Sequence, residues 1–171
     1  VVLDSIAPTR TADGAMTYYG FIDSEQLEWL RKDLAQIGRS KPVILVSHIP
    51  TINALASAVG LETEFVSTPT GEKRLKHQVG NFQQILGEIL KGYNFRLALA
   101  GHYHTYEEVR WKDNEHDALF VVGGSICGDW WRGDRIVGYS SWPEGFTLIK
   151  VDGEKFNVSY IPYGWEGVEE Q

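Results

Sequence analysis

Two short, uninterrupted apolar runs restrict the fold more than any other feature: Val43-Ile44-Leu45-Val46, introduced by Pro42, and Leu97-Ala98-Leu99-Ala100, preceded by Arg96. Neither alternates with polar residues, so both read as strands covered on two faces rather than as strands with one wet side. Upstream, Ser24 to Ile37 repeats Leu27, Leu30, Leu34 and Ile37 at helical spacing, with Asp23 and Gln26 as a capping-box start and Gly38 as a stop. Between the runs a second amphipathic helix is predicted from about His77 to Leu90, turning Val79, Phe82, Ile85, Leu86, Ile89 and Leu90 inward and ending at Gly92. With Val1-Val2-Leu3 as an opening strand, the order is strand, helix, strand, helix, strand. That is an α/β pattern, and the connection between the two runs is long enough for parallel pairing.

The segment Thr51 to Thr70 carries Gly60 and Pro69 and reads as a surface loop or short helices. Past about Glu107 the character turns to β. Tyr106–Trp111 and Ala118–Val122 flank a polar turn at Asp113-Asn114, and Phe146–Val151 and Lys155–Ile161 flank Asp152-Gly153, which favours a type I′ turn. The division expected is therefore an α/β part over residues 1–106 and a β-rich, Trp-rich extension over 107–171. Gly123 to Pro143 joins the two hairpins as a Gly- and Trp-rich loop.

Composition narrows the function. A net charge of −7 leaves no electrostatic footprint for nucleic acid or anionic lipid, although bound cations can reverse the local sign for a phosphate ester. No apolar run reaches transmembrane length. Cys127 is the single cysteine, which excludes an internal disulfide and reads as a small buried thiol rather than a nucleophile. Trp111, Trp130, Trp131, Trp142, Trp165 and Tyr139 enrich the tail in aromatics, and a small β core accounts for them better than an exposed stacking surface does.

Chemistry concentrates where the two apolar runs end. His48 follows the first, and Gly101-His102-Tyr103-His104 closes the second. Ligand sites in open α/β sheets lie beyond the carboxyl ends of strands, so His48 and His102 converge if their strands are near neighbours. His102 and His104 project to one side if the backbone there is extended, and Gly101 eases a turn and clears space. Three imidazoles make a partial coordination set for Mn, Fe, Zn or Ni, although a two-metal centre needs bridging carboxylates as well. Taken singly, a His-x-His pair is a weak signal, and a histidine after a strand is more often a hydrogen-bonded loop residue than a ligand. His77, near a helix start, and His116, in a polar turn, read as surface residues.

Ser47-His48-Ile49-Pro50 followed by Ala100-Gly101-His102-Tyr103-His104 resembles the last two motifs of the calcineurin-like metallophosphoesterase family. Leu3-Asp4-Ser5 and the Gln26–Leu30 helix resemble the segment leading into them. Cys127-Gly128-Asp129-Trp130-Trp131 and Pro143-Glu144-Gly145-Phe146 resemble the C-terminal extension of a bacterial branch, which hints at an extracytoplasmic enzyme. The resemblance implies the C-terminal half of an α/β/β/α sandwich followed by an antiparallel β extension. It also implies two divalent metal ions, with His48 and His102 on one and His104 on the other. Hydrolysis of a phosphomonoester or phosphodiester by a metal-bridging hydroxide would follow.

The family's earlier motifs, Asp-x-His, Gly-Asp-x-x-Asp and Gly-Asn-His-Asp/Glu, do not occur, and neither Gly128-Asp129 nor Gly133-Asp134 continues as required. The general-acid histidine and half of the ligands are thus expected in a missing N-terminal part of the same protein. This chain alone is expected to be inactive and, with sheet surfaces uncovered, open to self-association. Two alternatives compete: a non-catalytic aromatic-rich module that binds a glycan or a protein partner through its tail, and a degenerate family member that kept the fold. The first would turn the three imidazoles apart.

Overall fold

The computed structural model describes residues 1–54, 64–124, 126, 136–137, 140–141 and 144–164. At the start of the chain, Val1–Leu3 runs parallel to the first apolar run, with Leu3 N–H bonded to the Val46 carbonyl and Val46 N–H to that of Val1, both at 2.9 Å. Strands β1 (Ile6–Arg10) and β2 (Met16–Gly20) then form an antiparallel hairpin. Helix α1 covers Ser24–Ile37 and buries Leu27, Leu30 and Leu34, as the spacing predicts. Its cap is Asp23, whose Oδ1 accepts from Gln26 N–H at 2.9 Å. The Gln26 amide does not bond back to the Asp23 backbone as a capping box would. It instead clamps Asp4, accepting from its N–H at 2.8 Å and donating to its carbonyl at 3.0 Å.

Strand β3 (Val43–Val46) follows, then an antiparallel hairpin of β4 (Phe65–Ser67), inside the stretch expected to be irregular, and β5 (Lys73–Leu75), just beyond it. Its turn is built by Thr68 to Glu72 around Gly71, at φ 81°. The second helix is shorter than the periodicity predicts: a single turn, Phe82–Gln84, opens into the π-helical segment Ile85–Ile89. The residues before it are committed elsewhere. Val79 N–H bonds to the Pro50 carbonyl and Gly80 N–H to that of Gly20, while the Asn81 amide holds both backbone groups of Ile22. A helix's first N–H groups have no partner within it, so these bonds fix where the segment before Phe82 lies, and Lys76, bonded to the Glu64 carbonyl, still belongs to the β4–β5 pair. The apolar face was legible nonetheless, because Val79, Phe82, Ile85, Leu86, Ile89 and Leu90 are all buried.

Strand β6 (Phe95–Ala100) pairs parallel with β3 on one side and with β8 (Asp117–Val122) on the other, and β7 (Glu107–Lys112) lies antiparallel to β8 at the edge. The central sheet therefore runs β3-β6-β8-β7. To reach β7 the chain passes across the carboxyl ends of β6 and β8, and Gly101 to Tyr106 is that crossing. Leu45, Ala98, Phe120 and Val109 share one face and pack against α1 and the Phe82–Ile89 segment. On the opposite face Leu97 and Val121 are buried but Ile44, Val46, Leu99 and Leu119 are only half-buried. The expected two-sided burial is thus complete on one face and partial on the other.

Beyond the sheet lie the short pair β9 (Ile136–Val137) and β10 (Ser140–Ser141), then the long hairpin of β11 (Gly145–Asp152) and β12 (Lys155–Pro162). The β11–β12 turn differs from the expected type I′. Asp152 pairs with Lys155, leaving Gly153-Glu154 as the loop with only Gly153 at positive φ, the pattern of a II′ turn. The described residues are a mixed α/β structure, mostly strands in several sheets with few helices and no barrel. No helix among them is long and apolar enough to cross a membrane. Trp111, on β7 of the central sheet, is half-buried against that sheet's core. Trp130, Trp131, Trp142, Trp165, Tyr139 and Cys127 lie outside the described residues.

Candidate functional site

Hydrogen bonds between β3 and β6 continue past the ends of both strands. Ser47 N–H bonds to the Leu99 carbonyl at 3.0 Å and Gly101 N–H to the His48 carbonyl at 3.1 Å. These two bonds hold the strand exits side by side, and the imidazoles that follow meet. His48 and His102 pack edge to face with ring centres 5.1 Å apart, and His48 Nε2 stands 3.2 Å from His102 Nδ1. Ser5, fully buried, fixes the approach from below, its Oγ accepting from Ile49 N–H at 2.8 Å.

The loop geometry departs from the extended backbone expected of Gly101 to His104. His102 (φ 78°) and His104 (φ 58°) are the non-glycine residues at positive φ among those described. Left-handed backbone at two successive histidines turns the chain without help from Gly101, and the extended, same-side arrangement does not form. Nor does Gly101 clear space, because a Cβ there would meet only His48 Nδ1, at an ordinary 4.0 Å. Non-glycine residues held in this region carry a conformational cost, and such costs cluster at functional sites.

His77, expected at the surface, belongs to this cluster. Its side chain is 18% exposed and its ring lies 5.0 Å from that of His102, tilted by 34°. His77 Nδ1 is 2.7 Å from His102 Nε2, and His77 Nε2 is 2.7 Å from Glu64 Oε2. A continuous file of polar atoms thus runs Glu64, His77, His102, His48. Lys76 Nζ bonds the other Glu64 oxygen at 2.6 Å, and this bond above all holds the Glu64 carboxyl below its ordinary range. Tyr18 on β2 meets the edge of His102 at 5.9 Å, and Tyr103 flanks both His102 and His77. Nothing in the local sequence marks Glu64 or His77. The β4–β5 hairpin carries them, and its pairing appears only once Lys76 N–H bonds to the Glu64 carbonyl.

Burial, reinforced by the charges of His77, His48, His104 and Lys76, lowers the His102 imidazole to about 4. Burial likewise raises the Tyr103 phenol, helped by the Glu107 and Glu64 carboxylates. His102 is accordingly neutral at pH 7, the form whose lone pair can bind a metal. Two nitrogens bound to one zinc-like ion at about 2.0–2.1 Å stand roughly 3.3 Å apart in tetrahedral geometry. The 3.2 Å between His48 Nε2 and His102 Nδ1 matches that spacing. The residues present therefore fit one edge of a coordination sphere. They do not complete it, since no three His, Cys, Asp or Glu side chains among the described residues converge as a metal requires.

His116, also expected at the surface, is buried at 6% exposure between the Leu90 carbonyl and Asp113 and packs on Phe95. It lines a cleft of about 390 Å³ with Arg39, Tyr93, Arg96 and Asp113, at the amino end of β6. That is the opposite end of the strand from the imidazole file, so the cleft is not where this chemistry lies. A comparison with known proteins found no matching family model and no matching curated protein.

Proposed function

We propose that this chain contributes one side of a two-metal phosphoesterase centre that hydrolyses a phosphomonoester or phosphodiester. The observation that carries the reading is the His48–His102 donor pair, spaced as two ligands of one ion at the carboxyl ends of adjacent parallel strands. His104, from the same loop, is assigned to the second ion by the motif resemblance. In this reading the four-stranded sheet and its helical layer form half of an α/β/β/α sandwich, and the carboxylates that bridge the ions come from sequence outside these residues. Bound, the cations supply Lewis-acid charge at the phosphoryl oxygens and an activated water.

What this chain does is hold and orient. Ser5 and the β3–β6 bonds fix His48, the left-handed turn fixes His102, and burial keeps His102 neutral and ready to bind. The binding-module alternative would have the three imidazoles pointing apart, and the facing rings of two of them, His48 and His102, weigh against it.

Metal analysis tests the reading. Protein expressed from the whole reading frame is expected to carry close to two transition-metal ions per chain and to hydrolyse an aryl phosphate ester. The 171-residue chain alone is expected to bind metal weakly and to turn over no ester. Full activity retained with His102 and His104 both changed to Ala would overturn the assignment.

A further inference from the structure

We propose that Glu64 and His77 form a positioning pair that sets the tautomer of His102, so that its Nδ1 lone pair is presented beside His48 Nε2. The inference rests on the metal-centre reading above and goes beyond it, since neither residue belongs to the motifs that suggested that reading.

An ionised carboxylate can only accept, so the 2.7 Å contact of Glu64 Oε2 with His77 Nε2 requires the proton on Nε2. Where His77 is neutral its Nδ1 is bare and the 2.7 Å contact to His102 Nε2 puts the proton on that nitrogen, whereas a cationic His77 would donate from Nδ1 and leave the His102 proton on its own Nδ1. Beside a neutral His77, His102, neutral in turn, is left with its lone pair on Nδ1, the atom 3.2 Å from His48 Nε2. With the opposite tautomer, His102 would present an N–H where a metal needs a donor.

Metal-binding imidazoles commonly give their second N–H to a carboxylate or carbonyl, which fixes ring and tautomer. Here a second imidazole is inserted between the ligand and its carboxylate. Both partners sit on firm backbone. Lys76 N–H bonds to the Glu64 carbonyl at 3.0 Å, Val79 N–H to that of Pro50 at 2.9 Å, and Lys76 Nζ orients Glu64 Oε1.

Cobalt(II) titration of this chain, followed by its visible absorption, separates positioning from mere packing. His77→Leu removes the acceptor for His102 Nε2–H and is expected to weaken Co²⁺ binding about 10- to 100-fold. His77→Asn places an amide oxygen near the position of Nδ1, where it can accept the same proton, and is expected to stay within a few-fold of wild type. Glu64→Leu should fall between the two. Binding by His77→Leu equal to wild type overturns the proposal, as does a loss in His77→Asn as large as in His77→Leu. Long-range ¹⁵N NMR of the metal-free chain is the second arm, and protons on Nε2 of both His77 and His102 are expected. A wild-type chain that binds no Co²⁺ counts against the metal centre and leaves the pair to be judged by NMR, where a His102 proton on Nδ1 refutes it.

Discussion

Ser5 shows how much one hydroxyl can govern at this site. It is fully buried, and its Oγ is the acceptor for the N–H of Ile49, itself without exposed surface and next in the chain to His48. Ser5→Ala leaves that buried N–H without a partner, and the cost of such an orphan is about 1–3 kcal/mol. Urea unfolding of Ser5→Ala is expected to show a loss of that size, with the Ile49 amide exchanging faster than in wild type. No loss of stability would mean that Ile49 is held by something else. The histidines divide along the same line. His48 and His102 were legible because each follows an apolar run. His77 and His116 were not, because what buries them comes from Glu64 and His102 in one case and from Leu90 and Phe95 in the other.

At the level of elements, signals local in sequence survived folding. Helix α1 keeps its predicted bounds and its Asp23 cap, and the two C-terminal hairpins form where their turns suggested. The β7–β8 turn depends on Asp113. Its carboxylate accepts from Trp111 Nε1–H at 2.8 Å and from the backbone N–H groups of Glu115 and His116 at 2.8 and 2.7 Å. These bonds, the Trp111 one foremost, hold the Asp113 carboxyl well below its ordinary value of 3.8. Because the folded value is the lower one, this contribution to stability is fully present above the unfolded value. It is lost as pH falls from about 4 through the folded value. Unfolding midpoints measured from pH 5 down to pH 2 should therefore fall less steeply in Asp113→Asn than in wild type, and parallel curves would refute the assignment. The β1–β2 hairpin and the short β9–β10 pair were not foreseen, and two further elements differ from the sequence reading. The β4–β5 hairpin lacks an alternating apolar pattern, and the helix expected from His77 begins only at Phe82, after residues bonded back to Gly20 and Ile22.

For the whole molecule, the central sheet in the order β3-β6-β8-β7 brings His48 and His102 together, while the loop crossing to the edge strand β7 sets the turn that carries His102 and His104. A ligand that binds only the folded chain stabilises it by mass action, by about 2.7 kcal/mol at a free concentration one hundred times Kd. Divalent metal is therefore expected to raise the unfolding midpoint of wild type in a concentration-dependent way and to leave His48→Ala/His102→Ala unmoved. An equal rise in both would place the ion elsewhere. By itself the sequence determined what depends on near neighbours: the apolar strands β3 and β6, the inward face of each helical segment, the cap of α1, and two histidines at strand ends. Periodicity and turn chemistry act within a few residues, so they can be read without the fold. Only the tertiary structure decided the left-handed backbone of His102 and His104, the shortened second helix, and the file from Glu64 through His77 to His102. The shortened helix and the file rest on partners far along the chain, as in the bonds of Asn81 to Ile22 and of His77 to His102, which no local pattern in the sequence reveals.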